Sequence, residues 1–160
     1  MTLLPNGNLG IGTTTPNSKL SVNGSASVNG NLSVNGNLSL PIRMVTGNYT
    51  LTEEDYTVLV NVNNQTGDPA ITITVPFAAG MKGRIYNIHG INMPNITSSS
   101  GSSVAIRRPD GAPITYLFYR YEPYDGSIQF AENRSAITLQ SDGANWYMIA
   151  SNYMYYIDTR

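Results

Sequence analysis

Between residues 19 and 40 the apolar and polar positions repeat with a period of six, through KLSVNG, SASVNG, NLSVNG and NLSLPI. Leu20, Ala26, Leu32 and Leu38 hold one phase, and Val22, Val28, Val34 and Leu40 hold another. A serine (Ser21, Ser27, Ser33, Ser39) always stands between them, and Asn23-Gly24, Asn29-Gly30 and Asn35-Gly36 close the first three hexads. A strict short period marks a repeat architecture. Apolar residues two apart point to one side of a strand, and the serine between them to the other. Asn-Gly predicts a corner after each strand, because both residues tolerate positive φ.

A single three-residue strand buries almost nothing. A single-chain β-helix of this kind needs about three hexads per coil and several stacked coils. Four hexads give little more than one coil, so the repeat cannot build its own core. Three copies wound about a threefold axis would let Leu20, Val22, Val28, Leu32, Val34, Leu38 and Leu40 fill a shared interior and close every strand edge. The expectation is a short intertwined, triple β-helix-like shaft over residues 1–41 of a homotrimer. A flexible Ser/Asn/Gly linker is the plain alternative. It leaves the constant phase of the apolar residues unexplained.

Upstream, Leu9 and Ile11 alternate with Gly10 and Gly12, as an imperfect hexad. Thr13-Thr14-Thr15-Pro16 then reads as an inserted turn, since proline cannot pair within a central strand. Downstream, Pro41 ends the repeat and the pattern changes to longer strands. Met44–Thr46 and Tyr49–Leu51 are expected to pair around Gly47-Asn48. Tyr56–Asn61 and Ala70–Val75 are β-rich, with Gly67-Asp68-Pro69 as the loop between them. Strands are also expected over Arg84–His89, Ser103–Arg107 and Ile114–Tyr119. Ala136–Gln140 and Asn145–Ala150 should form a hairpin around Asp142-Gly143. Thr52–Asp55 resembles a helix cap but is too short to propagate one. Many short strands predict an all-β fold, with a β-sandwich or jelly-roll-like tip over residues 42–160.

Composition sharpens this. Only 12% of the residues are charged and the formal net charge is -1. No basic excess points to nucleic acid or an anionic membrane surface. So little charge means a surface rich in Asn, Ser, Thr and Tyr, or one largely buried between subunits. No cysteine is present, which removes disulfide and thiolate chemistry. No long apolar run predicts membrane insertion. Pro5-Asn6-Gly7 directly follows Leu3 and Leu4, so no secretory signal is expected.

Gly10-Ile11-Gly12-Thr13-Thr14-Thr15-Pro16, followed by Lys19-Leu20-Ser21-Val22-Asn23-Gly24, resembles the GIGTT-x-P … KL-x-V-x-G pattern of bacteriophage tail-fibre and tail-spike shafts. That pattern commonly precedes a folded tip. Tyr49–Thr52, Tyr56–Val60 and Gly83–Ile88 are similar to phage-fibre tip domains. So is the closing Thr138–Tyr147 segment (TLQSDGANWY). The resemblance implies a virion tail fibre that carries its specificity in variable loops.

Candidate chemistry falls in four places. Glu53, Glu54 and Asp55 are adjacent, and Glu122 and Asp125 flank Pro123-Tyr124. Either set could supply the carboxylate pair of a glycosidase, although a solvated acidic turn accounts for both. His89 is the lone histidine and has no partner spaced for a metal. The serines lack a nucleophile-elbow context. The aromatic stretch Tyr116–Tyr124 could stack on sugar rings or pack between subunits. Within it, Tyr119, Arg120, Tyr121, Glu122 and Tyr124 are the expected receptor-binding residues. Tyr153–Tyr156 reads as a strap across a neighbouring subunit.

The reading is therefore a non-catalytic fibre tip with no cofactor and no metal. Its partners would be its own copies, a bacterial surface glycan or outer-membrane receptor, and upstream fibre or baseplate proteins. A purely structural virion trimer and a trimeric polysaccharide depolymerase are the alternatives.

Overall fold

The structure is a computed structural model that describes residues 1–63, 71–92, 104–111, 114–116, 128–130 and 135–152. It is all-β, and the described residues include no helix. The chain divides into two compact units, Met1–Leu38 and Ser39–Arg160.

In the first unit β1 (Thr2–Leu3), β2 (Leu9–Ile11) and β3 (Leu20–Val22) form one sheet. β1 runs antiparallel to β2, and β2 runs parallel to β3, with Leu9 beside Leu20 and Ile11 beside Val22. The connection between β2 and β3 therefore crosses over, as parallel pairing requires. Its glycines have a steric reason. A Cβ on Gly10 would strike the Thr13 carbonyl, and one on Gly12, at φ +73°, would strike the Asn23 carbonyl. Pro16 is buried in this crossover, and Asn8 Nδ2 donates to its carbonyl at 3.3 Å.

The hexads behave differently from the expected row of strands. Only Leu20–Val22 is a strand, and residues 25–40 pair with nothing in the single chain. Bends do fall at all three Asn-Gly pairs, yet among them only Gly24 takes a positive φ, +135°. In β3 it is Ser21 that is half-buried, held by Asn17 and Ser18, while Leu20 and Val22 are exposed. A β ladder needs a partner strand, and one copy of a linear repeat does not offer one.

In the second unit the strands are β4 (Ile42–Val45), β5 (Tyr49–Thr50), β6 (Thr57–Asn61), β7 (Ile71–Thr74), β8 (Ile85–Ile91) and β9 (Val104–Arg107). They are followed by β10 (Thr115–Tyr116), β11 (Ile128–Phe130), β12 (Ala136–Ser141) and β13 (Trp146–Ser151). Six of them form a sheet in the order β10-β13-β12-β8-β6-β4, and four form a second in the order β11-β9-β7-β5. From β4 to β9 the chain alternates between the two sheets. Each turn adds one strand to each sheet, parallel to its predecessor: β4 to β6 to β8 in one and β5 to β7 to β9 in the other. β4 and β5 thus lie in different sheets, so the expected pairing around Gly47-Asn48 does not form. The β12–β13 hairpin does form, antiparallel around Asp142-Gly143, with a register shift at Thr138/Leu139.

Both sheets contribute to one core. β6 contributes Val58 and Val60, β7 Ile71 and Ile73, β8 Tyr86 and Ile88, and β9 Val104 and Ile106. Their period-two burial is what the alternating sequence dictates. Trp146 closes the core against Tyr86, with ring centroids 5.0 Å apart. Each ring also places its polar atom. Trp146 Nε1 donates to the Pro76 carbonyl at 2.7 Å, and Tyr86 Oη to the Thr52 carbonyl at 2.9 Å.

Candidate functional site

The expected receptor-binding residues Tyr119, Arg120, Tyr121, Glu122 and Tyr124 lie outside the described residues, as do Asp125 and Tyr153–Tyr156. Two other groups of the sequence-derived candidates can be placed.

The acidic turn splits into three roles. Asp55 is buried, with 1% of its side chain exposed. Its Oδ1 accepts from Arg43 Nε at 2.6 Å. Its Oδ2 accepts from the Thr52 amide at 2.8 Å, Tyr49 Oη at 2.9 Å and Thr52 Oγ1 at 3.0 Å. Burial alone would push this carboxyl up. The Thr52 amide, the Arg43 guanidinium and the two hydroxyls outweigh it and hold the carboxyl below its ordinary value. A glycosidase acid needs the opposite shift and a free oxygen. Asp55 is therefore a structural clasp joining β4, β5 and the 51–55 turn. Glu54 is exposed, 3.9 Å from Arg43. Glu53 holds the chain entering β8: its carbonyl accepts from Arg84 Nη1 at 2.6 Å.

His89 lies on β8, between Leu59 of β6 and Ala136 of β12 in the outward row of the six-stranded sheet. It is half-buried there. No cluster of three or more His, Cys, Asp or Glu residues suited to a metal occurs among the described residues.

An open cleft of about 390 Å³ lies where the 80–84 turn meets the acidic turn. Glu53, Tyr56, Met81, Lys82, Arg84 and Ile85 line it. Gly80 and Gly83 shape its rim at φ +79° and +81°. Gly143, at the tip of the β12–β13 hairpin, lies against Lys82 from outside. The hairpin is itself fixed by Asp142. Its Oδ1 accepts the amides of Ala144 and Asn145, both at 2.7 Å, and its Oδ2 accepts Tyr147 Oη at 3.0 Å. The two amides, with Tyr147, hold the Asp142 carboxyl below its usual value, and Asp142 in turn pushes the Tyr147 phenol up. The cleft thus combines a phenol ring with carboxylate, ammonium and guanidinium groups. These can hydrogen-bond the hydroxyls of a small polar ligand. Sequence reasoning missed it, because Glu53 and Lys82 are brought together only by the fold. The paired glycines around Met81-Lys82 were the available signal.

The largest unexplained feature is apolar. Leu20, Val28, Leu32, Val34 and Leu38 are exposed in the single chain, with Leu32 70% exposed. Val22 and Leu40 are exposed as well, though less so. In comparisons with known proteins, no family model, no curated protein and no solved structure matches this chain.

Proposed function

We propose that the chain is the distal part of a homotrimeric virion tail fibre, whose tip attaches to a bacterial surface receptor, a glycan foremost, without catalysis. The observation that carries this reading is the row of exposed apolar residues held in phase through the hexads. A soluble monomer seldom leaves so regular an apolar row in water, and three interwound copies would bury it. The resemblance of the GIGTTTP…KLSVNG segment to phage-fibre shafts supports the same reading. The second unit then serves as a tip presented three times per particle. Its variable segments, among them residues 119–125, supply the contact surface, and the upstream shaft joins the tip to other virion proteins.

Light scattering at micromolar concentration should give about 52 kDa, three times the 17.3 kDa of one chain. The trimer, incubated with host cells, should bind them and release no sugar from their surface polysaccharide. A folded 17.3 kDa monomer would refute the fibre reading. Release of oligosaccharide would replace attachment with depolymerisation.

A further inference from the structure

We infer that the outer face of the six-stranded sheet, at its β4 edge, is a docking surface for further copies of this chain, with Ile42 and Met44 facing their counterparts about the threefold axis. This rests on the trimeric reading above and extends it from the repeat to the tip.

Four observations carry it. First, Ile42 is 69% and Met44 57% exposed, on the same side of β4. Their row continues inward, with Met44 beside Leu59 and Leu59 beside His89. The outward positions of β4, β6 and β8 include no Lys, Arg, Asp or Glu. The matching face of the four-stranded sheet differs, since its outward Thr50, Thr72 and Thr74 are polar. On the first face the apolar Ile42, Met44 and Leu59 lie at the β4 edge, beside the polar Thr57, Asn61 and Asn87.

Second, β4, β6 and β8 are parallel. Parallel strands are almost always covered on both faces. Here the inner face is covered by the second sheet, while on the outer face Ile42 and Met44 of β4 are exposed and the outward residues of β6 and β8 are half-buried.

Third, β4 is an edge strand with one side of its backbone unpaired. Natural edges are guarded by lysine, proline, bulges or inward-pointing charges. The single charge in β4, Arg43, points to the other side and is engaged by Asp55. Arg43 thus guards the inner side of the edge, and the outer side, where Ile42 and Met44 project, carries no charge.

Fourth, the alternation identifies the occupant. Leu38, Leu40, Ile42 and Met44 occupy successive even positions, and all are exposed. Two residues of extended chain advance about 7 Å. Whatever covers Leu40 therefore also reaches Ile42. In a threefold fibre that cover is the same segment of a second copy, which is itself uncharged at these positions.

The absence of native cysteine permits a direct test in the full chain. Met44→Cys and Thr50→Cys each place one thiol on an exposed edge-strand position, in the six- and four-stranded sheets respectively. In one isolated copy both thiols would react alike. In the assembled protein, the thiol at position 44 should react with a maleimide at least about tenfold more slowly than the one at position 50, because access governs the rate. Loss of the trimeric mass in the Met44→Cys variant alone would equally support the contact. Equal rates in a particle of that mass would overturn this surface and leave the trimeric reading standing. A mass of 17.3 kDa for the unsubstituted chain would remove both.

Discussion

Replacing Asp55 with asparagine separates the two halves of the clasp. Through Oδ1 the carboxylate holds Arg43, whose side chain is 44% accessible, and through Oδ2 it holds the Thr52 amide, Thr52 Oγ1 and Tyr49 Oη. Solvent screens the half-exposed guanidinium, but losing it takes from the buried Oδ1 its Arg43 donor. An asparagine oriented to keep its carbonyl at the Oδ2 position retains three acceptor contacts but loses their charge assistance, at about 1 kcal/mol each. Asp55→Asn, which weakens the contacts of both oxygens, should therefore cost roughly 2–3 kcal/mol, and Arg43→Ala, which leaves the three Oδ2 contacts intact, should cost less. The single tryptophan, Trp146, is buried against Tyr86, so its fluorescence in a urea titration at fixed protein concentration reads the loss directly. Acid adds a second reading. The folded carboxyl titrates below its unfolded value of about 3.9. Its contribution is therefore complete above that value and is lost as pH falls through it toward the folded one. Asp55→Asn should flatten this acid limb, leaving the smaller part owed to Asp142. Equal losses for Arg43→Ala and Asp55→Asn would refute the assignment, because the Arg43 contact would then be the dominant one.

Other outcomes test other parts. Val34→Asp should prevent assembly, since it would gather three carboxylates in one apolar interior. Ser33→Asp should leave the particle mass unchanged, and equal effects of the two would invert the phase assignment. Gly143→Ala should cost about 1 kcal/mol or more in the same urea titration, because φ is +97° and the new Cβ would stand 3.2 Å from Lys82 Cβ. Tyr86→Phe removes one hydrogen bond at unchanged shape and should cost about 1 kcal/mol. Tyr121→Ala should abolish binding to host cells while leaving mass and melting temperature intact; loss of the trimer instead would make that stretch subunit packing.

The residues announced the strands of the second unit better than their pairing. Tyr56–Asn61, Arg84–His89 and the two arms of the Asp142-Gly143 hairpin alternate cleanly, and alternation fixes which side chains face inward. It does not fix the neighbour. Val45 and Tyr49 stand four residues apart, yet their strands lie in different sheets, because parallel partners are supplied one full turn of the coil later. Antiparallel pairing was legible only where a two-residue turn enforces it. The acidic turn was misread for the same reason. Glu53-Glu54-Asp55 looks like a solvated run until Arg43, twelve residues upstream, is folded back against it. In the repeat, periodicity gave the bends at the Asn-Gly pairs, but beyond Leu20–Val22 the expected strands do not form in the single chain.

The parallel coil and the hexad repeat share one physical difficulty. Both add short strands in a single direction, and both leave an edge and a face that the chain cannot cover by itself. The second unit answers half of it, closing one face with the second sheet and one edge with the antiparallel β12–β13 hairpin. Among the described residues, no such closure is built at the β4 edge or through the hexads. For a trimer this is economical. In the proposed trimer these surfaces would select further copies of the chain and leave the loops of the tip free for a ligand. Assembly then multiplies a weak contact. A millimolar sugar contact is worth about 4 kcal/mol, and three held on one particle gain further orders of magnitude through effective concentration. A shallow open site, such as the cleft lined by Tyr56, Lys82 and Arg84, would be sufficient at that valency and inadequate on a single chain.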